Sequence, residues 1–211
     1  MIDRILDFDR NAFLFINSKH SPFWDDIMWW VSGSKIWIPL YVLLLIVIVY
    51  RELSYRVVFT VMFLAVAVTL SDQLSNLIKI LVERPRPTWD SELMGLVHKV
   101  NDYKANKPYG FVSNHAANVF CLATFLTEQL KNYKWGFLLF LWAIIVSYSR
   151  IYLGVHYPFD VIFGALLGTL TGIQCYVFKA RISVYVDRQL SIRKEKKEAK
   201  RKAEERKAHF S

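Results

Sequence analysis

The sequence predicts an all-α, polytopic transmembrane helix bundle of five to six spans, preceded by an N-terminal helix lying in the membrane interface. Three observations predict it. Hydrophobic residues make up 54% of 211 residues, with a positive mean hydropathy of +0.24. The apolar residues gather in long runs rather than in amphipathic stripes. Basic residues collect in the connections between alternate runs.

A helix needs about 20 apolar residues to cross the hydrocarbon core. With some extension into flanking residues, the runs read as five spans, at about 25–50, 56–82, 114–131, 134–151 and 158–179. Ahead of them, Ile2, Ile5, Leu6, Phe13 and Ile16 approximate one helical face, with Asp3, Arg4, Asp7 and Arg10 elsewhere. This is the pattern of an interfacial helix, or of part of a sixth span. It lacks the basic start and small-residue cleavage site of a signal peptide. Ser32-Gly33-Ser34 is expected to bend the first span or to split it into two short helices. Residues 1–182 then form a membrane domain, and 183–211 a basic tail.

Charge sets the expected orientation. Lys179 to Lys207 carries twelve Lys and Arg against five Asp and Glu, seven of the chain's net charge of +9. Arg51, Arg56, Lys131 and Lys134 lie in connections that fall on the same side as the tail. The positive-inside rule makes that side cytoplasmic. The tail reads as a solvated helix with i, i+4 ion pairs, anchoring topology against anionic lipid. No aromatic residue is interleaved between Ser191 and Lys207, so nucleic acid is not an expected partner. Cys121 and Cys175, the only cysteines, fall inside spans and read as small core residues. No zinc spacing, Gly-rich phosphate loop or internal repeat is present.

Three motifs lie at the ends of spans on the opposite, extracytoplasmic side. Lys79 is followed by Arg86-Pro87. A planar guanidinium can give two parallel hydrogen bonds to phosphate oxygens, and Lys adds a point charge. Ser113-Asn114-His115 opens the third span, with Ser113 as N-cap. A helix start of this kind offers free amides and a positive dipole end to an anion. Ser149-Arg150 ends the fourth span. Gly154 then permits a tight turn, Pro158 suits a helix start, and His156 and Asp160 stand four apart on one face. A carboxylate beside an imidazole fixes its tautomer and frees the other nitrogen as a nucleophile.

Together these motifs resemble the type 2 phosphatidic acid phosphatase family, which also includes the vanadium-dependent haloperoxidases. That family's pattern is Lys, six residues, Arg-Pro; then Pro-Ser-Gly-His; then Ser-Arg, five residues, His, three residues, Asp. Lys79 to Pro87 and Ser149 to Asp160 match in full. In the second element Val112 replaces the proline and Asn114 the glycine, while Ser113 and His115 remain. The resemblance covers about residues 57–179.

It implies a lipid phosphatase of the bacterial cytoplasmic membrane, with its site facing the periplasm or exterior and its tail in the cytoplasm. His156 is the implied nucleophile, forming a phosphohistidine, and Asp160 its orienting partner. His115 is the implied general acid and then base. Lys79, Arg86 and Arg150, with Ser113 and the Asn114 amide, are the implied phosphate cradle. The implied chemistry uses no metal and no cofactor. Glu83 reads as a salt-bridge partner, and His20, His98 and His209 fit no motif. Trp89, Tyr103 and Tyr109 are candidates for a rim over the site. On analogy alone the favoured substrate is undecaprenyl diphosphate. Phosphatidylglycerol phosphate, phosphatidic acid and lipid A phosphates are the alternatives. A lipid phosphotransferase of the same fold, an anion transporter and an inactive structural protein are the rival functions.

Overall fold

The computed structural model describes residues 2–52, 55–103 and 105–209. Seven α-helices run through the described residues: α1 (Ile2–Asn17), α2 (Pro22–Ser32), α3 (Ile38–Arg51), α4 (Tyr55–Val82), α5 (Asn114–Leu130), α6 (Tyr133–Tyr152) and α7 (Pro158–His209). Residues 1–176 and 177–211 form two compact units.

Local chemistry places the helix ends. Ser21 caps α2, with Pro22 in its first turn. Ser32-Gly33-Ser34 does split the first predicted span: α2 stops at Ser32, and a 3₁₀ turn at Ser34–Trp37 leads into α3. After α4, Glu83 takes a left-handed φ of 49° and Pro85 and Pro87 prevent continuation. Ser113 caps α5 and Asn132 caps α6. Gly154 makes the turn after α6 with φ 74°, and Pro158 opens α7.

Among the described residues, four stretches are long and apolar enough to cross a membrane: Ser34–Arg51, Tyr55–Val82, Tyr133–Tyr152 and Pro158–Lys202. Their outward faces carry large exposed apolar side chains, such as Ile46, Leu77, Phe137 and Leu166. The predicted third span, α5, has 17 residues and rises roughly 26 Å. It is the inner helix, with Ala116, Ala117, Cys121, Ala123 and Phe125 fully buried.

Close approach explains how α5 and α7 meet. A Cβ on Gly164 or Gly172 would fall 2.6 or 2.7 Å from the carbonyl oxygens of Ser113 and Cys121, and one on Gly168 would overlap that of Ala117. Small residues at i, i+4 spacing let helix backbones touch where the surrounding lipid gives no hydrophobic drive. This contact brings the start of α5 against the start of α7.

The N-terminal helix departs from its predicted face. Phe13 is buried as expected, in a cluster with Leu93, Ala116, Ile151, Tyr157 and Val161. Beside it, however, the polar Asp9 and Asn17 are buried, while Ile5 and Leu6 remain exposed. α1 is therefore tied to the bundle by polar anchors as well as by apolar contact. In the C-terminal unit, Lys200–Glu204 and Arg201–Glu205 make i, i+4 ion pairs at 3.9 and 3.3 Å.

Candidate active site

The turn between α6 and α7 carries the central imidazole. His156 is 2% exposed and Asp160 0%. His156 Nδ1 faces Asp160 Oδ2 at 3.3 Å, and the same oxygen accepts from the Tyr157 amide at 3.0 Å. Asp160 thus does two jobs at the helix start, reaching back to an orphan amide as capping residues do and holding Nδ1–H. With that proton on Nδ1, Nε2 keeps its lone pair and accepts from Arg86 Nη1 at 3.1 Å. Burial, then the charges of Arg86 and Arg150, push the His156 pKa well below the ordinary histidine value. The ring is therefore neutral near neutral pH.

The loop after α4 brings in Arg86. Its backbone amide donates to Pro108 O at 2.8 Å, and Gly110 N donates to Arg84 O at 2.8 Å. Two short stretches of loop are thereby clipped side by side. Arg86 Nε donates to Tyr109 O at 3.0 Å, which aims its outer nitrogens at His156. Gly110 is required here: a Cβ would lie 2.9 Å from Asp160 Oδ2 and 3.0 Å from Arg86 Cγ.

Lys79 and Arg150 are buried. Lys79 Nζ donates to Val112 O at 2.5 Å and to Asn114 Oδ1. Arg150 donates through Nη1 to the Ser32 hydroxyl, while its buried Nε has no partner among the described residues. A buried guanidinium N–H with nothing to bond is poised for an anion. His115 is half-buried on the first turn of α5, near enough to feel the charges of Arg150, His156, Arg86 and Lys79.

All eight candidate residues therefore meet at one end of the bundle, and two of them also tie helices together. Ser113 is fully buried; its amide donates to Asp160 O at 2.9 Å and its hydroxyl accepts from Ala116 N at 3.5 Å. It joins α5 to α7. The Asn114 side chain links Lys79 to α4, donating to Asp72 Oδ1 at 2.7 Å and Asn76 Oδ1 at 3.0 Å. Glu83, expected in a salt bridge, is exposed and makes the left-handed helix stop instead.

Several supporting residues escaped the sequence reading. Arg84 donates to Asp160 Oδ1 at 3.0 Å and to Asp9 Oδ2 at 2.7 Å, and lies 4.0 Å over the Tyr157 ring. Asp9 Oδ1 accepts from the Phe159 amide at 2.9 Å, so α1 caps α7 from outside. Arg84 carried a signal, standing inside the Lys79–Pro87 motif two positions before Arg86; Asp9 in an N-terminal helix carried none. Of the expected rim, Trp89 Nε1 donates to Ala105 O at 2.9 Å and Tyr103 packs edge-on to Trp29.

A cavity of about 530 Å³ runs from His115 into the bundle between α3, α4, α5 and α6. Asp72, Asn114, His115 and Asn118 make its polar end, and Trp37, Tyr41, Leu44, Leu64, Leu122 and Trp142 line the rest.

Bilayer-length helices with imidazoles and fixed cations gathered at one end are the marks of an integral membrane protein with a charged site at one end of its bundle. Residues 60–183 match the PAP2 superfamily, and the chain belongs to that family. A lipid A 4'-phosphatase from Bacteroides thetaiotaomicron is 36% identical over 186 residues, covering 87% of this chain and 82% of that relative. Another from Porphyromonas gingivalis is 31% identical over 176 residues, covering 81% and 72%. Among solved structures, a transmembrane PAP2 type phosphatidylglycerolphosphate phosphatase from Bacillus subtilis has a TM-score of 0.65 at 19% identity, covering 85% of this chain and 88% of that one. That likeness speaks to the fold alone. The protein is a membrane phosphatase, a hydrolase acting on phosphate esters.

Proposed function

We propose that the protein removes a phosphate from a lipid A-type glycolipid at the extracytoplasmic face, through a phosphohistidine on His156. The observation that carries the chemistry is the position of His156. Its Nδ1 is held by Asp160, and its Nε2 points at Arg86. The neutral Nε2 attacks phosphorus in line with the lipid oxygen, which leaves as the P–O bond breaks. His115 gives that oxygen its proton. Asp160 stabilises the positive charge that develops on the ring. Arg86, Arg150 and Lys79 hold the equatorial oxygens, where transition-state charge concentrates. Water then gives a proton to the now neutral His115 and attacks phosphorus. The N–P bond breaks, and inorganic phosphate and free His156 result. Ser113 and Asn114 serve this cradle by positioning α5 and Lys79.

Likeness to lipid A 4'-phosphatases over more than four-fifths of the chain supports the substrate class. Undecaprenyl diphosphate, preferred from the sequence on analogy, has no residue here that speaks for it. The apolar cavity opening from His115 suits a lipid chain continuous with the bilayer. Arg51, which donates to Leu130 O at 3.2 Å, belongs with Lys131 and Lys134 to the end of the bundle away from the site. The positive-inside rule puts that end, and the tail from 183 to 211, in the cytoplasm.

The test is phosphate release by purified protein in detergent with chelator. The substrates are lipid A, prenyl diphosphates, phosphatidic acid and phosphatidylglycerol phosphate. Release from lipid A above all others is expected. Release from prenyl diphosphates with none from lipid A overturns the substrate, and transfer to a second lipid without free phosphate overturns hydrolysis.

A further inference from the structure

Outside the catalytic groups, His20, Asp25 and His98 come together from three segments. His20 lies in the turn between α1 and α2, Asp25 in the first turn of α2, and His98 in the loop before α5. One ligand atom from each lies within 4.8 Å of the others. His98 Nε2 stands 3.1 and 3.0 Å from the two Asp25 oxygens. The His20 and His98 rings stack with centroids 3.6 Å apart and planes 4° apart. Ligands about 2.0–2.2 Å from a tetrahedral ion sit roughly 3.3–3.6 Å from one another. The His98–Asp25 spacing is already close to that, and the His20 ligand atom lies within 4.8 Å of both.

A simple His–Asp ion pair needs no second imidazole, nor the scaffold behind this one. Asn17, 1% exposed, accepts from the His98 amide at 2.8 Å and donates to the His98 carbonyl at 3.1 Å. It also donates to Tyr152 O at 2.8 Å. The Tyr152 hydroxyl donates to Asp25 Oδ1 at 2.6 Å and accepts from the Ser21 amide, next to His20, at 3.2 Å. Polar groups behind the ligands that set their orientation are the mark of a built metal site.

We propose that His20, Asp25 and His98 bind one divalent transition-metal ion of the zinc class, with water completing its coordination. Two imidazoles and a carboxylate favour such an ion over magnesium or calcium, which prefer all-oxygen sets. The ion takes no part in phosphate transfer. It clamps the α1–α2 corner to the loop before α5 and, through Tyr152, to the end of α6 that carries Arg150.

The test is calorimetric titration of the full chain, stripped with chelator, with Zn²⁺ alone, alongside a thermal melt. One Zn²⁺ per chain is expected, with a raised melting temperature. His98→Gln and His20→Ala each weaken binding by more than about 100-fold, since loss of supporting groups alone costs 10–100-fold. His20 is exposed, so His20→Ala tests the site without disturbing the core. It keeps wild-type phosphate release in chelator while losing the zinc-dependent rise in melting temperature. Full binding in His20→Ala, loss of binding in His115→Gln instead, or no saturable binding by the wild type overturns the proposal. None of these outcomes depends on which lipid is the substrate.

Discussion

Arg84 donates to Asp160 Oδ1 at 3.0 Å, leaving Oδ2 for His156. Its other nitrogen reaches Asp9 at 2.7 Å. Two buried carboxylates thus share one guanidinium behind the proposed nucleophile. The arrangement holds Asp160 in place while α1 is locked to the start of α7.

Breaking this triad should cost stability as well as rate. Removing one member of a buried ion cluster leaves an unpaired charge and typically costs about 3–5 kcal/mol. Asp9→Ala should lower the melting temperature in detergent and reduce kcat. Asp9→Asn keeps an acceptor for the Phe159 amide and should lose less. Wild-type melting and turnover in Asp9→Ala would remove the triad from the account.

Asn114 stands where the family pattern has glycine and connects Lys79 to Asp72. If it orients Lys79, Asn114→Ala and Asp72→Ala should each raise KM for the lipid phosphate by roughly tenfold. Because they act through one chain of hydrogen bonds, the double variant should be little worse than either alone. Additive losses would show that the two residues act separately.

Gly110→Ala places a methyl carbon against Asp160 Oδ2 and Arg86 Cγ. Both neighbours are held by other bonds, so the displacement falls on the His156–Asp160 and His156–Arg86 contacts. A fall in kcat of about 100-fold is expected, as small misplacements of reacting groups cost that much. Unchanged kcat would mean that the cradle adjusts freely.

The pH dependence follows from His156. Its pKa is lowered by burial and by Arg86 and Arg150, so the folded protein resists the proton that an unfolded chain accepts near 6.5. The unfolded state binds more protons below that pH, so the His156 contribution to stability is full above about 6.5 and falls as pH drops. The acid limb of kcat/KM, after correction for titration of the substrate phosphate, should likewise lie below about 6.5. A limb at or above that value would show an ordinary exposed imidazole.

Much of this was legible in the sequence because helix periodicity and short-range spacing encode it. Arg150, His156 and Asp160 sit within one turn-and-helix start, and the apolar runs announce α3, α4, α6 and α7. What was hidden depends on contacts between distant segments. Asp9 looked like any charge on an N-terminal helix, and Ser32 like part of a break, until α1 and α2 packed against the site. Gly164, Gly168 and Gly172 did carry a readable small-residue spacing, which explains how Ser113 and Asp160 come together. His20 and His98 are 78 positions apart with no motif between them, and only the fold brings them into contact.

In the proposed mechanism His156 carries the phosphoryl group. His115→Ala should still form the intermediate from a substrate with a good leaving group, such as p-nitrophenyl phosphate, but hydrolyse it about 10²–10⁴-fold more slowly. Rapid quench at alkaline pH, where phosphohistidine survives, followed by mass spectrometry of the peptide spanning Ile151 to Phe163, reads it directly. Phosphate is expected on His156 of that variant and none in the His115→Ala, His156→Ala double variant. An unmodified peptide during turnover, or full phosphate release by purified His156→Ala, would contradict it.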